Sequence, residues 1–600
     1  MKKKPHHEWS KDKLVHYVDL LLKRKKFGIV WEPKDEDVAE KCKQMLPVIS
    51  YDEKKSILNN NGETNILIQG DNYESLSVLN YTHKKKIDII YIDPPYNTGD
   101  KDFMYNDKFI DTEDHYRHSK WLSFMQKRLL LSKRLLKDTG FMFVSIDENE
   151  FAQLKILMDE IFGRENFINC ITVKTKTSSG ASGGGEDKKL KKNIEFLLFY
   201  AKNRNFFKYQ PVYIKRNLFD IIDEKEEDGK SFEYKSVLKD LGSKKLYKVI
   251  KDGSGKDIKI YKHAKYKVLT LKAFAKENNC TEKEVYLNHL DKIFRLQPAQ
   301  SSIRTRVNTA TENSRDLYSI EYTPRSGKNK GTIATNYYLK CDLVNWLSDT
   351  TQKIGDKLIK QEKAGTLWDD LTWQGLSSEG GVKFRSKKPI AFLERMFSLY
   401  PYENATILDF FAGSGSTGHA VLNLNEKDGQ KRKFILCTND KDENGSHKIM
   451  TTVLYPRIIN VINGYGKKKG LGGNLRFFKT EFIDKIKTDK DKRDFVRKAV
   501  EMLCLSEETF DKIISNKDFA LYESIDKATM IIFDENEIEE AKKVLKKNKK
   551  IISIYIFSYD HTVDESDFED IPKVKIKPIP EVILNVYRKI FKELYKPKEI

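Results

Sequence analysis

The run Ile87-Asp88-Ile89-Ile90-Tyr91-Ile92 stops on Asp93-Pro94-Pro95-Tyr96, and this junction constrains the fold more than any other stretch of the chain. A nearly continuous apolar run suits a strand covered on both faces, as in a parallel sheet. Two consecutive prolines cannot extend it, because neither donates to a strand ladder and each fixes φ. The chain must leave the sheet there, carrying an aspartate and a tyrosine with it. A second junction comes much later, where Ile407-Leu408-Asp409 gives way to Phe410-Phe411-Ala412-Gly413-Ser414-Gly415 and then to helical spacing over 416–424. Glycines at such a turn let the backbone bend sharply and approach a ligand with no Cβ in the way.

The same rhythm of strand and helix recurs around both junctions. Ile66-Leu67-Ile68-Gln69 ends in Gly70-Asp71-Asn72 and is followed by helical apolar spacing over 73–79. A helix is predicted over 115–137, then a strand at 141–146 and another at 194–200. Lys388-Pro389 opens a helix, and Phe434-Ile435-Leu436 leads to Asn439 and Asp440. Alternation of this kind predicts an α/β fold with a doubly wound, mostly parallel sheet. The texture divides the chain into a helical entry segment (1–60), a first α/β half (61–203), an irregular Lys-, Arg- and Tyr-rich middle (204–378), a second α/β half (379–480) and a C-terminal α+β domain (481–600). Ser178 to Gly185 and the basic run that follows, to Lys192, read as one loose loop.

The two junctions suggest complementary chemistry. Asp93 is a fixed acceptor, and the Pro94 carbonyl, aimed by the rigid Pro94-Pro95 pair, is a second. Acceptors so placed would stabilise positive charge developing on a conjugated amine as it is alkylated. Tyr96 offers a face on which a base can stack, and a base can be reached only once it is out of the duplex. The glycine turn at 411–415 suits a nucleotide cofactor, with Asn439 or Asp440 where a ribose-binding side chain sits in doubly wound sheets and Asp71 at another strand end. Lys388, at a helix start, could meet a carboxylate. Together they point to methyl transfer from S-adenosylmethionine (SAM) to the exocyclic amine of a nucleobase.

Composition narrows the setting. Of 600 residues, 109 are Lys or Arg and 89 are Asp or Glu, a formal net charge of +20 that favours a polyanionic partner. The six cysteines form no CxxC pair, so neither a disulfide framework nor a zinc site is expected. No apolar run approaches the roughly 20 residues of a membrane span and no signal peptide is evident, so a cytoplasmic location is expected. No GxxxxGK[ST] loop is present, which disfavours a helicase or nuclease acting alone.

With DPPY ahead of the middle region and FAGSG behind it, the chain resembles the β-class, circularly permuted DNA amino-methyltransferases. More narrowly, it resembles the Mod subunit of type III restriction-modification systems. The segments carrying the likeness include ILIQGDNYESLSVL, IDIIYIDPPYNTG, IEFLLFYAKN, KKPIAFLERMF, ILDFFAGSGST and GGNLRFFKTEFI. The resemblance implies that Asp93, Pro94, Pro95 and Tyr96 hold the target base. It also implies that Asp409, Phe411, Ala412, Gly413, Ser414 and Gly415 form the SAM turn and that Lys388-Pro389 faces the methionine end. It leaves Asp440 and Glu443 as rivals for the ribose position. The middle becomes a target-recognition domain for double-stranded DNA, with Arg304, Arg306 and Arg325 as contact candidates and the 178–192 loop against phosphates or the displaced strand. A homodimer and a separate helicase-nuclease subunit are further implications; no metal is needed. Aspartate at the first motif position favours adenine N6 over cytosine N4. A recognition module without turnover is the alternative from another class.

Overall fold

The computed structural model describes residues 10–12, 14–15, 29 and 31–595, apart from 59–62, 100–102, 107, 177–189, 191, 299–300, 325–330, 385–386, 441–447 and 560–561. The chain divides into two compact units, one from residues up to 210 together with 365 onward, the other from 211–364.

The larger unit is built on a ten-stranded sheet. In chain order its strands are β1 (Met45–Tyr51), β2 (Thr64–Gln69), β3 (Ile87–Ile92), β4 (Leu136–Ile146), β5 (Phe167–Lys174), β6 (Ile194–Ala201), β7 (Leu367–Trp368), β8 (Thr406–Asp409), β9 (Lys433–Thr438) and β10 (Asn474–Asp484). They lie side by side as β1-β10-β2-β9-β8-β3-β4-β6-β5-β7. The six strands from β10 to β4 run parallel, while β1 joins β10 and β6 joins β4 antiparallel. Seven helices serve the site: α1 (Asp37–Gln44), α2 (Asn72–Thr82), α3 (Arg117–Leu135), α4 (Phe151–Phe162), α5 (Ile390–Phe397), α6 (Ser416–Asp428) and α7 (Tyr455–Asn463).

All six residues of β3 are buried, as a continuous apolar run at the centre of a two-faced sheet requires. Ile90, Ile92, Met142 and Leu408 pack into one core with Leu76, Leu129 and Leu154 of α2, α3 and α4. The alternate residue Tyr91 points the other way and meets Phe392 of α5 edge-on at 6.3 Å. From β3 the chain moves through α3 to β4 on one side. From β8, paired to β3 on the other side, it moves through α6 to β9. The two central strands thus feed helices in opposite directions, and such a divergence opens a crevice at their carboxyl ends.

Residues 31–58, expected to be helical, hold the short α1, then strand β1 and a single 3-10 turn at Glu53–Lys55. Pro47 and the polar flanks hide this strand in the sequence. A proline is tolerated because β1 is an edge strand with a ladder on one side only. Strand β10 runs across residue 480 and joins the sheet core to the C-terminal region. That region carries a five-stranded sheet whose first strands pair antiparallel and whose last pair parallel.

The 211–364 unit holds an eight-stranded and a three-stranded antiparallel sheet. Its edge strand Ser243–Lys251, SKKLYKVIK, is exposed along nearly its whole length. Among the described residues no helix is long and apolar enough to cross a membrane, and no His, Cys, Asp and Glu cluster could hold a metal ion.

Candidate functional site

A cavity of about 1970 Å³ opens at the carboxyl ends of β3 and β8. Its walls include Asp93, Pro94, Pro95 and Tyr96 from the first junction and Asp409, Phe411, Ala412, Gly413 and Ser414 from the second. Asp71, Lys388, Asn439 and Asp440 line it too. Sequence-distant motifs meet because β3 and β8 are hydrogen-bonded neighbours, with Ile89 opposite Ile407 and Ile90 opposite Leu408.

The proline turn is held from several sides. The Pro95 carbonyl accepts from Trp121 Nε1 of α3 at 2.8 Å. Asn97 adopts φ +59°, a left-handed backbone that asparagine tolerates better than most residues. Its Nδ2 donates to Glu150 Oε1 at 2.5 Å, and His118 Nδ1 shares that oxygen at 2.6 Å. Burial pushes the Glu150 carboxyl up to about 8. These bonds fix the turn against α3 and the residue that precedes α4.

At the centre, one ammonium faces two carboxylates and a phenol. Lys388 Nζ lies 2.7 Å from Glu195 Oε2 and 3.2 Å from Asp93 Oδ1, and donates to Tyr96 Oη at 2.8 Å. Tyr96 Oη donates to Asp93 Oδ1 at 2.8 Å, with Glu195 Oε2 at 3.0 Å as its alternative acceptor. Burial and the Glu195 charge raise the Asp93 carboxyl above its ordinary value, against the pull of Lys388. Burial also opposes the Glu195 charge, but Lys388 and the Tyr96 hydroxyl outweigh it and hold that carboxyl low. Lys388, expected to await a cofactor carboxylate, is engaged here with Asp93, Tyr96 and Glu195. Pro389 is the N-cap residue of α5 and aims it.

The glycine turn is organised by Asp409. Its Oδ1 accepts the Phe411 N–H at 3.0 Å and its Oδ2 the Thr417 hydroxyl at 2.6 Å. Burial raises this carboxyl to about 7. Gly413 has φ +47°, and a Cβ there would meet nothing nearer than the Phe411 carbonyl at 3.8 Å. The backbone conformation favours glycine, and the space before it is open cavity. Gly415 (φ +79°) precedes α6 and packs behind the turn, where a Cβ would come within 3.1 Å of Leu454.

Other expected residues carry structural duties. Asp71 caps α2 through the Tyr73 N–H at 2.7 Å and lies 3.3 Å from Arg128. Asp440 accepts from Gln69 Nε2 at 2.8 Å and the Thr451 N–H at 2.9 Å; Glu443 lies outside the described residues. In the 211–364 unit, Arg304 is bound to the Cys341 carbonyl (2.9 Å) and Asp342 (2.7 Å), whereas Arg306 is exposed. Arg325 and most of the 178–192 loop lie outside the described residues. Of that loop, Lys192 is described and bonds the buried Asp147.

Several residues that line the cavity or hold its wall had no sequence signal. Glu195 is the one acid in an apolar strand, and antiparallel pairing of β6 with β4 brings it to the site. Glu36 reaches the wall from α1's N-cap and is held by the buried Arg128 at 2.7 Å. Arg457 of α7, also buried, donates to Ser414 Oγ (3.0 Å) and Ser416 Oγ (2.8 Å) and pairs with Glu379 (3.1 Å).

Comparison with known proteins gives a consistent set of likenesses. The family model described as DNA methylase matches residues 87–445. The probable type III restriction-modification enzyme HindVI Mod subunit of Haemophilus influenzae is 39% identical over 368 residues, 60% of this chain and 48% of that protein. The type III restriction-modification enzyme StyLTI Mod subunit of Salmonella typhimurium is 30% identical over 431 residues, 66% of this chain and 56% of that one. The type II methyltransferase M.KpnI of Klebsiella pneumoniae is 30% identical over 413 residues, 66% of this chain and 86% of that protein. The chain spans about half the length of the two Mod subunits.

Proposed function

This chain belongs to the DNA methylase family, and from that premise we propose that it methylates the exocyclic amine of a base in double-stranded DNA, adenine N6 in the first instance, using SAM. The observation that carries the proposal is the meeting of the acceptor turn (Asp93 to Tyr96) and the glycine turn (Phe411 to Gly415) on adjacent central strands around one cavity.

The residues present fit SAM. The open space before Gly413 suits a close backbone approach, and a wall bearing Glu36, Asp71 and Asp440 suits a cationic cofactor. At about 1970 Å³ the cavity exceeds the roughly 300–1,000 Å³ of a single-ligand pocket, leaving room for cofactor and base together. SAM held there would supply an electrophilic methyl carbon to the amine lone pair, its sulfur being the leaving group that keeps the carbon–sulfur electron pair. The chain's own residues act on the amine. Asp93 accepts an N–H of the target nitrogen, draws it out of conjugation with the ring and stabilises the positive charge that grows on it. The cationic nitrogen then loses one proton toward that carboxylate. Tyr96 borders the same space and presents a ring face to the base.

Aspartate as the first residue of the motif supports adenine over cytosine. The likeness to Mod subunits supports a modification role in a type III restriction-modification system, with a restriction subunit as partner. The exposed lysine-rich edge strand Ser243–Lys251 and Arg306 support duplex contact by the 211–364 unit. The test is to incubate the protein with SAM and unmethylated DNA and identify the modified base. N6-methyladenine at one short motif supports the proposal, methylated cytosine moves the target to N4, and SAM-independent DNA binding without modification favours a recognition module.

A further inference from the structure

We propose that Glu195 is a positioning residue for methyl transfer: it draws the Lys388 ammonium away from Asp93 and so leaves the Asp93 carboxylate to the target amine. The inference rests on the function proposed above. In that reaction the amine nitrogen gives its lone pair to the methyl carbon, sulfur keeps the pair of the broken bond, and the nitrogen becomes cationic until it sheds one proton. Asp93 is useful only if its oxygens can bond that nitrogen.

A lysine so near Asp93 is a competitor for those oxygens. Lys388 is only 11% exposed, so little solvent weakens its pull, and it approaches Asp93 to 3.2 Å. Glu195 holds it more closely, at 2.7 Å. The phenol of Tyr96 lies between them, accepting from Lys388 and donating to Asp93. Three elements therefore converge: the turn after β3, strand β6 and the start of α5. With both carboxylates and the ammonium ionised, this trio carries one net negative charge, which suits a reaction that builds positive charge on the substrate. Replacing Glu195 by an amide removes that net charge and leaves the ammonium to Asp93 alone. Neither effect arises from packing.

The charge arrangement predicts an unusual pattern of variants. Glu195→Gln should lower the turnover rate about 30-fold, by analogy with other coupled charge pairs, while the SAM Kd stays within about threefold. Adding Lys388→Met to Glu195→Gln removes the competing ammonium, so the double variant should be faster than Glu195→Gln alone. A packing role predicts the reverse, since each substitution would add damage. The pH profile gives an independent readout. The groups facing Asp93 are Lys388, Glu195, Tyr96, Tyr91 and Asp409, with Lys192 acting on Glu195. Of these, Glu195 holds the Asp93 carboxyl up, so its loss should move the acid limb of turnover to lower pH.

Wild type, Glu195→Gln, Glu195→Asp, Lys388→Met and the double variant would be assayed as full chains for SAM binding and for single-turnover methylation of DNA from about pH 4.5 to about 9, a range whose acid end approaches ordinary carboxylate values. A wild type that never methylates DNA refutes the function proposed above. Against an active wild type, the role of Glu195 is supported by a double variant faster than Glu195→Gln, an acid limb moved down, and Glu195→Asp faster than Glu195→Gln. It is overturned if Glu195→Gln turns over at the wild-type rate, or if the double variant is slower than Glu195→Gln with the acid limb unmoved.

Discussion

Asp409→Asn should stabilise the glycine turn at neutral pH and leave it nearly unchanged in acid. Asp409 is 2% exposed, and burial raises its pKa from 3.8 to about 7. The folded state then binds more protons than the unfolded one between those values, so folding stability falls as pH rises through this window. The difference of about three pKa units, at 1.36 kcal/mol each, sets an upper bound of about 4 kcal/mol on the cost of ionising Asp409 in the fold. That cost is absent below pH 3.8 and complete above about 7. Asparagine keeps both bonds, its Oδ1 accepting from the Phe411 N–H and its Nδ2 donating to the Thr417 hydroxyl, without an ionisable group. Hydrogen-exchange opening energies for the amides of Thr406–Asp409 and Ser416–Asp428, measured from pH 5 to 8.5 (about the window that brackets the raised value), provide the assay. The expected gain grows with pH and levels off near 2–4 kcal/mol, about half or more of the bound. An Asn variant destabilised by the same amount at every pH would refute the reasoning, because it would show that the ionised carboxylate is the better hydrogen-bonding partner.

Other consequences follow from the same geometry. Asp93→Ala should reduce turnover by about 10³-fold or more while SAM binding, followed by calorimetry, changes less than about threefold, since the glycine turn is untouched. Gly413→Val should do the opposite: a left-handed φ costs a side-chain residue about 1–2 kcal/mol, and the added bulk fills the open space before the turn, so the SAM Kd should rise more than about tenfold. Lys245→Ala with Lys248→Ala, on the exposed edge strand of the 211–364 unit, should make DNA binding less salt-dependent, the slope falling by about one for each phosphate left without its lysine, with SAM binding unchanged.

The parts of the site legible in the sequence are those written in contiguous residues. The apolar run of β3 needs burial on both faces and the prolines after it need an exit, so both can be read locally, as can the turn at Gly413 and Gly415. That the two junctions share one cavity follows from strand order, which periodicity does not encode. The hidden residues are of one kind. Glu36, Arg128 and Arg457 are charged groups buried, and Glu195 one half-buried, beside partners far away in the chain, and alone each resembles a solvated surface residue. Lys388 is recognisable as a cation at a helix start, but its partners come from the turn after β3 and from β6. Strand β1 escapes a reading by pattern because a lone edge strand containing Pro47 has neither the alternation nor the composition of a central one.

The central claim is most directly tested by long-read modification sequencing of unmethylated DNA incubated with the purified chain and SAM, alongside the Asp93→Ala protein. The account predicts N6-methyladenine confined to one short motif with the native chain and none with Asp93→Ala. Methylation that persists undiminished in Asp93→Ala would contradict it, because the transfer would then not depend on the acceptor that the meeting of β3 and β8 provides.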